Sequence, residues 1–193
     1  MTGIAGVILA GGQARRMGGG DKGLLPVRGR PMLAHVIERL SPQVTRLALN
    51  ANGDPARFAD FALPVLADPL PGFPGPLAGI LAAMDWAAAQ GLDRVATAAA
   101  DTPFLPRDLV VRLAAAGPLA IAASPDAEGA LRSHPTAALW PTVLRETLRA
   151  DLAAGERRLG RWAAAQGAAI VRFDETPDPF VNVNTPDDLA RLA

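Results

Sequence analysis

Short apolar runs alternate with stripes of helical spacing along the whole chain, a pattern that predicts an α/β fold with a mostly parallel sheet. The first run, Ile4 to Leu9, is apolar throughout, as a strand covered on both faces should be. Leu24 to Val27 precedes a turn at Arg28-Gly29-Arg30, and Pro31 suits the first position of a helix. Leu33, Val36, Ile37 and Leu40 form its stripe, which stops before Pro42. A strand over Val44 to Leu49 runs into Asn50-Ala51-Asn52-Gly53, and Asp54 is placed to cap a short helix through Phe61. Val65 and Leu66 make a brief strand ending near Asp68, and the proline- and glycine-rich run from Pro69 to Pro76 is too punctuated for regular structure. Leu77, Ile80, Leu81 and Met84 predict an amphipathic helix that stops near Gly91. Val95 to Ala100 is the next buried strand; it delivers Asp101-Thr102-Pro103 and a helix over Leu105 to Ala116. Leu119 to Ala123 and Ala137 to Trp140 read as strands on either side of a hairpin tip at Asp126 to Gly129. Helices over Thr142 to Ala153 and Arg157 to Gln166, a strand over Ala169 to Phe173, and a closing helix from Thr185-Pro186 complete the pattern. With no internal repeat and no low-complexity linker, residues 1–193 are expected to form a single domain.

Composition narrows the function. Half the residues are hydrophobic, enough to bury a substantial core. The formal net charge is zero, so no broad electrostatic footprint for nucleic acid or an anionic membrane is expected, and any phosphate site must be local. The absence of cysteine removes disulfides, zinc–thiolate sites, iron–sulfur clusters and a cysteine nucleophile. The first apolar run is too short to span a membrane and lacks the basic start of a signal peptide, so a cytoplasmic protein is expected.

The most informative stretch is LAGGQARRMGGGDKGLL, Leu9 to Leu25. Glycines let a backbone approach a ligand closely, and successive exposed amides in such a loop make an anion-binding concavity that cations complete. Lys22 is the only lysine; the other 18 of the 19 basic residues are arginines. It lies inside this loop, where a flexible point charge for a phosphate would sit. The loop is not a Walker-type P-loop, because Lys22 is followed by Gly23 and not by Ser or Thr. Nor is it a dinucleotide fingerprint, because Gly18-Gly19-Gly20 breaks any helix begun at Gln13. Asp101, at the end of an apolar strand, suits a magnesium ion shared with nucleotide phosphates; alone it equally suits a turn or a helix cap. Asp68, an acid before a proline, is alone a weaker candidate that often marks just a turn, and Asn50 with Asn52 read either as contacts to a base or ribose edge or as ordinary Asx-turn residues. The Gly-rich loop, Asn50, Asp68 and Asp101 all follow C-terminal ends of predicted strands, the edge at which open α/β sheets bind ligands.

His35 falls in a helical pattern and reads as a packing residue, whereas His134, in Ser133-His134-Pro135-Thr136, is a site candidate. Sequence adjacency of Ser133 and His134 is no evidence for a nucleophile–base pair, and no hydrolase triad is expected. Trp86, Trp140 and Trp162 read as packing residues.

Taken together, LAGGQARRMGGGDKGLL, Asn50-Ala51-Asn52, PGPLAGI, Asp101-Thr102-Pro103, His134-Pro135-Thr136, AGERR and NVNTPDDLARL resemble the molybdenum cofactor guanylyltransferase (MobA) family, in order from Gly6 to Leu192. The first motif alone indicates a nucleotidyltransferase of the sugar-nucleotide type; HPT, AGERR and NVNTP make the resemblance more specific. It implies a Rossmann-like three-layer fold and transfer of GMP from GTP to the phosphate of molybdenum-bound molybdopterin, with magnesium as cofactor and pyrophosphate released. It also implies that Leu9, Ala10 and Gly11 line the nucleotide, Lys22 contacts phosphate, and Asn50 and Asp68 contact guanosine. Asp101 would bind metal and nucleotide, and Asn182, Asn184 and Arg157 would lie on the molybdopterin side. The N-terminal half would then bind GTP and the C-terminal half the acceptor. Cofactor-insertion chaperones or apo-molybdoenzymes would be transient partners. Two departures are small: Arg30 stands in a Gly-Arg-Pro triplet where Gly-Lys-Pro is common, and Ala14 where a serine is often found.

The residues agree with that chemistry. A phosphate nucleophile is already ionised near neutral pH, so attack on the α-phosphorus needs positioning and charge neutralisation, not a general base. Lys22 and Arg16, with a metal on Asp101, would stabilise the growing charge. Two other readings compete: a cytidylyltransferase acting on the same pterin, whose loop typically reads LAAG where this chain has LAGG, and a non-catalytic nucleotide-binding or cofactor-delivery subunit.

Overall fold

The computed structural model describes residues 3–11, 21–70, 75–183 and 188. In chain order the elements are β1 (Ala5–Leu9), β2 (Pro26–Val27), β3 (Arg30–Pro31), α1 (Met32–Leu40), β4 (Arg46–Asn50) and β5 (Val65–Leu66). They continue with α2 (Pro76–Ala89), β6 (Arg94–Ala99), α3 (Leu109–Ala116), β7 (Ala120–Pro125), β8 (Leu131–Pro141), α4 (Arg145–Ala153), α5 (Leu159–Ala165) and β9 (Ala169–Arg172). A seven-stranded sheet runs in the order β5-β4-β1-β6-β8-β7-β9, and β2 and β3 form a separate hairpin. All strands of the large sheet run parallel except β8, which is antiparallel to both β6 and β7.

Alternation within each strand makes the layers. Val7 and Ile8 are neighbours in β1 and both are fully buried, but they join cores on opposite faces of the sheet. Ile8 packs with α1 and α3 through Leu33, Val36, Leu109 and Leu113. Val7 packs with α2, α4 and α5 through Leu81, Met84, Leu148 and Trp162. The fold is thus three layers, helices–sheet–helices. Parallel strands covered on both faces should be continuously apolar, as β1 is; β6 departs from this only at Arg94, its first residue, and at Thr97, whose hydroxyl accepts from Trp140 Nε1 at 2.9 Å.

Pro31 ends β3 and occupies the N-cap of α1 instead of opening it, and four further expectations change in detail. Far from being amphipathic, α2 is buried over the whole run Leu77 to Met84, because it lies between the sheet and α4. Ala78, Gly79, Ala82 and Ala83 keep that double contact close. Helix α3 begins four residues late, at Leu109. The preceding turn is held by side chains of α1 and its exit: Arg39 Nη1 donates to the Leu105 carbonyl (3.1 Å) and Gln43 Nε2 to that of Pro106 (2.9 Å). The amide oxygen of Gln43 then accepts from Val110 N (2.9 Å), satisfying an N-terminal donor of α3. Similarly, α5 begins at Leu159 because Glu156 accepts from the backbone N–H groups of both Arg157 and Arg158. Those bonds and the Arg161 guanidinium hold the Glu156 carboxyl down at about 2. Finally, β8 is much longer than Ala137 to Trp140, for a reason that bears on the site. The expected closing helix lies, apart from Asp188, outside the described residues. Among the described residues no helix is long and apolar enough to cross a membrane.

Candidate active site

Strand β1 has β4 on one side and β6 on the other, so the strand order reverses at β1, the place at which open α/β sheets bind ligands beyond the strand ends. Leu9 pairs with Asn50 in β4 and with Ala99 in β6, which brings three loops to one rim. Ala10 N donates to the Asn50 carbonyl (2.8 Å) and Ala100 N to that of Leu9 (3.1 Å), so the rim is continuous in hydrogen bonds. Ala10 is buried there and Gly11 is exposed at the mouth.

Lys22 and Asp101 meet at this rim. Lys22 Nζ lies 2.5 Å from Asp101 Oδ2, with side chains 13% and 21% exposed, so solvent screens the pair less than a surface ion pair. The approach depends on Gly23: a Cβ there would sit 2.9 Å from the Cβ of Ala100. The second polar group surrounds Asp68. One carboxylate oxygen accepts from Asn50 Nδ2 (3.0 Å), the other from Asn52 Nδ2 (2.7 Å), and Asp68 N donates back to Asn52 Oδ1 (2.8 Å). Asn50 also donates to the Leu66 carbonyl at 3.1 Å. This closed ring fixes the carboxylate, which an isolated turn residue would not need.

Two contributors to this rim escaped the sequence reading. Arg57 bridges the loops, with Nε 2.5 Å from Asp21 Oδ2 and Nη2 donating to the Asn52 carbonyl at 2.5 Å. Nothing in its local sequence marks it. Gly79, in PGPLAGI, sits inside α2 where a Cβ would lie 2.3 Å from Asn50 Oδ1. Its signal was legible: glycine in a helix interior costs about 1 kcal/mol against alanine, and a close approach explains it here.

On the far side of Asp101 a cavity of about 430 Å³ opens, lined by Thr102, His134, Thr136, Asp178, Phe180 and Asn182 among others. It arises from a break in strand pairing. The β6–β8 ladder runs from Arg94↔Pro141 to Thr97↔Ala138 and stops. On the other edge of β8 the register jumps: Ile121 pairs with Ala138 but Ala122 with His134. Pro135, Thr136 and Ala137 are skipped by the ladder and line the cavity, the usual service of a bulge beside a site. His134 is buried, its Nε2 2.7 Å from Ser124 Oγ, and its ring stacks on Phe180 with centroids 4.6 Å apart. Burial pushes the His134 imidazole below its ordinary range, against the pull of Asp178 and with the push of Arg132. The wall is completed by residues 178–183. Asp178 accepts from Phe180 N (2.9 Å), and Val183 N donates to the main-chain carbonyl of Asp101 (3.1 Å). Asn182 is exposed at the cavity.

Of the candidate residues, Leu9, Ala10, Gly11, Lys22, Asn50, Asp68 and Asp101 thus gather at one rim, and Asn182 lies on the cavity beside it. Arg157 is not among the cavity-lining residues; its Nη1 donates to the carbonyls of Leu152 (2.8 Å) and Glu156 (2.7 Å). Arg16 and Asn184 lie outside the described residues. His35 bonds the Val27 carbonyl through Nε2 (2.8 Å), as a packing residue does.

The chain is 55% identical over 193 residues to a molybdenum cofactor guanylyltransferase of Rhodopseudomonas palustris (strain BisB5), covering 95% of this chain and 90% of that one. It is 52% identical over 201 residues to one of Mesorhizobium japonicum, covering 98% and 94%. The fold superposes on the molybdopterin-guanine dinucleotide biosynthesis protein A of Archaeoglobus fulgidus with a TM-score of 0.69 at 22% identity, over 98% of this chain and 96% of that one. Residues 6–170 match the MobA-like NTP transferase domain. A sheet whose strand order reverses at β1, a Gly-rich loop after it in sequence and relatives this similar over nine-tenths or more of their length lead to one assignment: the chain belongs to the MobA-like NTP transferase family.

Proposed function

We propose that this protein transfers GMP from GTP to the phosphate of molybdenum-bound molybdopterin, forming the guanine dinucleotide cofactor and pyrophosphate. The observation that carries the reading is Asp101. Its carboxylate meets Lys22 in the rim beyond β1, and its carbonyl holds Val183 of the segment that bears Asn182. One residue therefore links a phosphate-type site to the segment whose Asn182 lines the neighbouring cavity.

In this reading the N-terminal half binds GTP. Leu9, Ala10 and Gly11 line the nucleotide, and Asn50 with the oriented carboxylate of Asp68 contacts guanosine. Lys22, with Arg16, neutralises phosphate charge. The C-terminal half takes the acceptor, with Asn182, Asn184 and Arg157 on that side. A phosphate oxygen of molybdopterin attacks the α-phosphorus of GTP; a P–O bond forms there and the bond to the bridging oxygen of pyrophosphate breaks. No proton needs removal from an ionised phosphate, consistent with a rim built from a lysine and a carboxylate. Magnesium fits Asp101. Such an ion takes one or two carboxylates and completes its shell with water and phosphate oxygens, and the described residues hold no cluster of three ligating side chains that would suit a tighter metal cage. When bound, the metal supplies charge neutralisation on the transferred phosphoryl group.

Thermal shift with GTP, CTP and ATP, each with magnesium, tests the reading. At about 100 times its dissociation constant, the cognate nucleotide stabilises by roughly 2.7 kcal/mol, or about 5–10 °C for a domain of this size. A larger shift with CTP would assign the chain to cytidylyl transfer. A GTP shift without pyrophosphate release in the presence of acceptor would make it a binding subunit.

A further inference from the structure

We propose that His134 is a positioning residue of the acceptor pocket: through its ring stack on Phe180 it sets the wall that carries Asn182 at the distance Asp101 requires. The inference rests on the reading that the 430 Å³ cavity takes the acceptor.

Three observations carry it. First, His134 is fixed from behind. Ser124 Oγ lies 2.7 Å from Nε2 in a buried setting, and the residue is the last on β8 to pair with β7 before the register jumps. The ring is therefore the firm edge from which the skipped residues 135–137 loop around the cavity. Second, the opposite wall leans on that ring. Phe180 is fully buried, with its ring 4.6 Å from His134 at 22° and 5.3 Å from Phe173 edge-on. Residues 178–183 form no strand or helix, so this aromatic column sets their distance from β8. Third, the far end of the same segment is tied to the reaction centre: Val183 is fully buried and its N–H bonds the Asp101 carbonyl at 3.1 Å. Asn182 thus hangs between two anchors, the ring of His134 and the backbone of Asp101. The group that joins its partner within a few ångströms of a reacting phosphorus must be held by such anchors, since small misplacements cost rate or affinity.

A residue that merely stabilised the fold would alter every kinetic constant together or none. The positioning role predicts a split. His134→Ala removes the stack and the Ser124 bond; the KM for molybdopterin should rise about three- to tenfold, the size of one aromatic pair. The dissociation constant for GTP, measured in the absence of acceptor, should stay within about twofold. The paired replacement Ser124→Ala with His134→Phe removes both hydrogen-bonding partners at once, leaving neither unpaired, and keeps a ring on Phe180. It should restore the acceptor KM to within about twofold of the native value. If His134→Ala does not fold, the paired variant still decides. An acceptor KM raised severalfold despite the retained ring overturns the proposal, as does an unchanged acceptor KM in a folded His134→Ala. Absence of GMP transfer by the native enzyme overturns the functional reading and this inference together. Transfer by the native enzyme without the split overturns the inference alone.

Discussion

The two halves of the rim hold their functional groups by different means. Beyond β1, β4 and β6, each polar side chain is fixed by another: Lys22 by Asp101, and Asp68 by Asn50 and Asn52. Around the cavity, position comes from a bulge in β8, an aromatic column and a main-chain tie. Charge is handled by pre-paired charge on one side, and shape by packing on the other. That difference suits a nucleotide, whose phosphates must be neutralised, and an acceptor that must chiefly be placed.

Substitutions in the first half should therefore break charge handling and leave acceptor placement intact. The largest effect is expected for Asp101→Ala. GMP transfer, followed as pyrophosphate release, should fall on the order of 10²–10³-fold, with an unfolding midpoint close to native because the Asp101–Val183 tie uses only main chain. A near-native rate with magnesium would remove the carboxylate from the chemistry. Lys22→Ala comes next, on the order of 10²-fold in transfer, and an unchanged rate would remove it from the site. Gly79→Ala is milder and more discriminating. Its Cβ would collide with Asn50 Oδ1, so the dissociation constant for GTP should rise about tenfold while the acceptor KM stays native. Equal changes in both constants would erase the division of labour.

The smallest effect belongs to the second half and is read through pH. Burial favours neutral His134, so the unfolded chain holds the proton more tightly than the native one. Its contribution to stability is complete above the ordinary histidine range, near pH 6.5, and is lost as pH falls through and below it. Denaturant titrations at pH 7.5 and 5.5 should show a smaller loss for the Ser124→Ala, His134→Phe variant than for the native chain. An equal loss would mean that His134 contributes nothing to it.

The same contrast explains what the sequence made legible. The strand-end positions of Leu9, Asn50, Asp68 and Asp101 follow from period and punctuation, which are local, and the parallel sheet follows from alternating strands and helices. The lone lysine in a glycine-rich loop was equally plain. The cavity was not. Residues 131–134 show no clean strand alternation, and pairing with β7 makes them strand; the skip at 135–137 exists only once that partner is present. Gln43 as the donor-satisfying group of α3, and Arg57 as the bridge between loops, are likewise contacts across the fold that no window of sequence contains. The amphipathic expectation for α2 failed for a related reason: its alanine-rich turns look weakly polar beside the stripe but are buried between two layers.

The bond from Val183 to Asp101 has a consequence for how such a protein varies. It is made by main chain at both ends, so any residue at 101 and any residue but proline at 183 can make it. Exchanges at either position can alter what the side chains there contact but leave this tie in place, whereas the spacing set by the His134–Phe180 stack depends on those rings. One anchor of the segment that bears Asn182 is thus independent of side-chain identity and the other is not, so exchanges can drift at one end with less penalty than at the other.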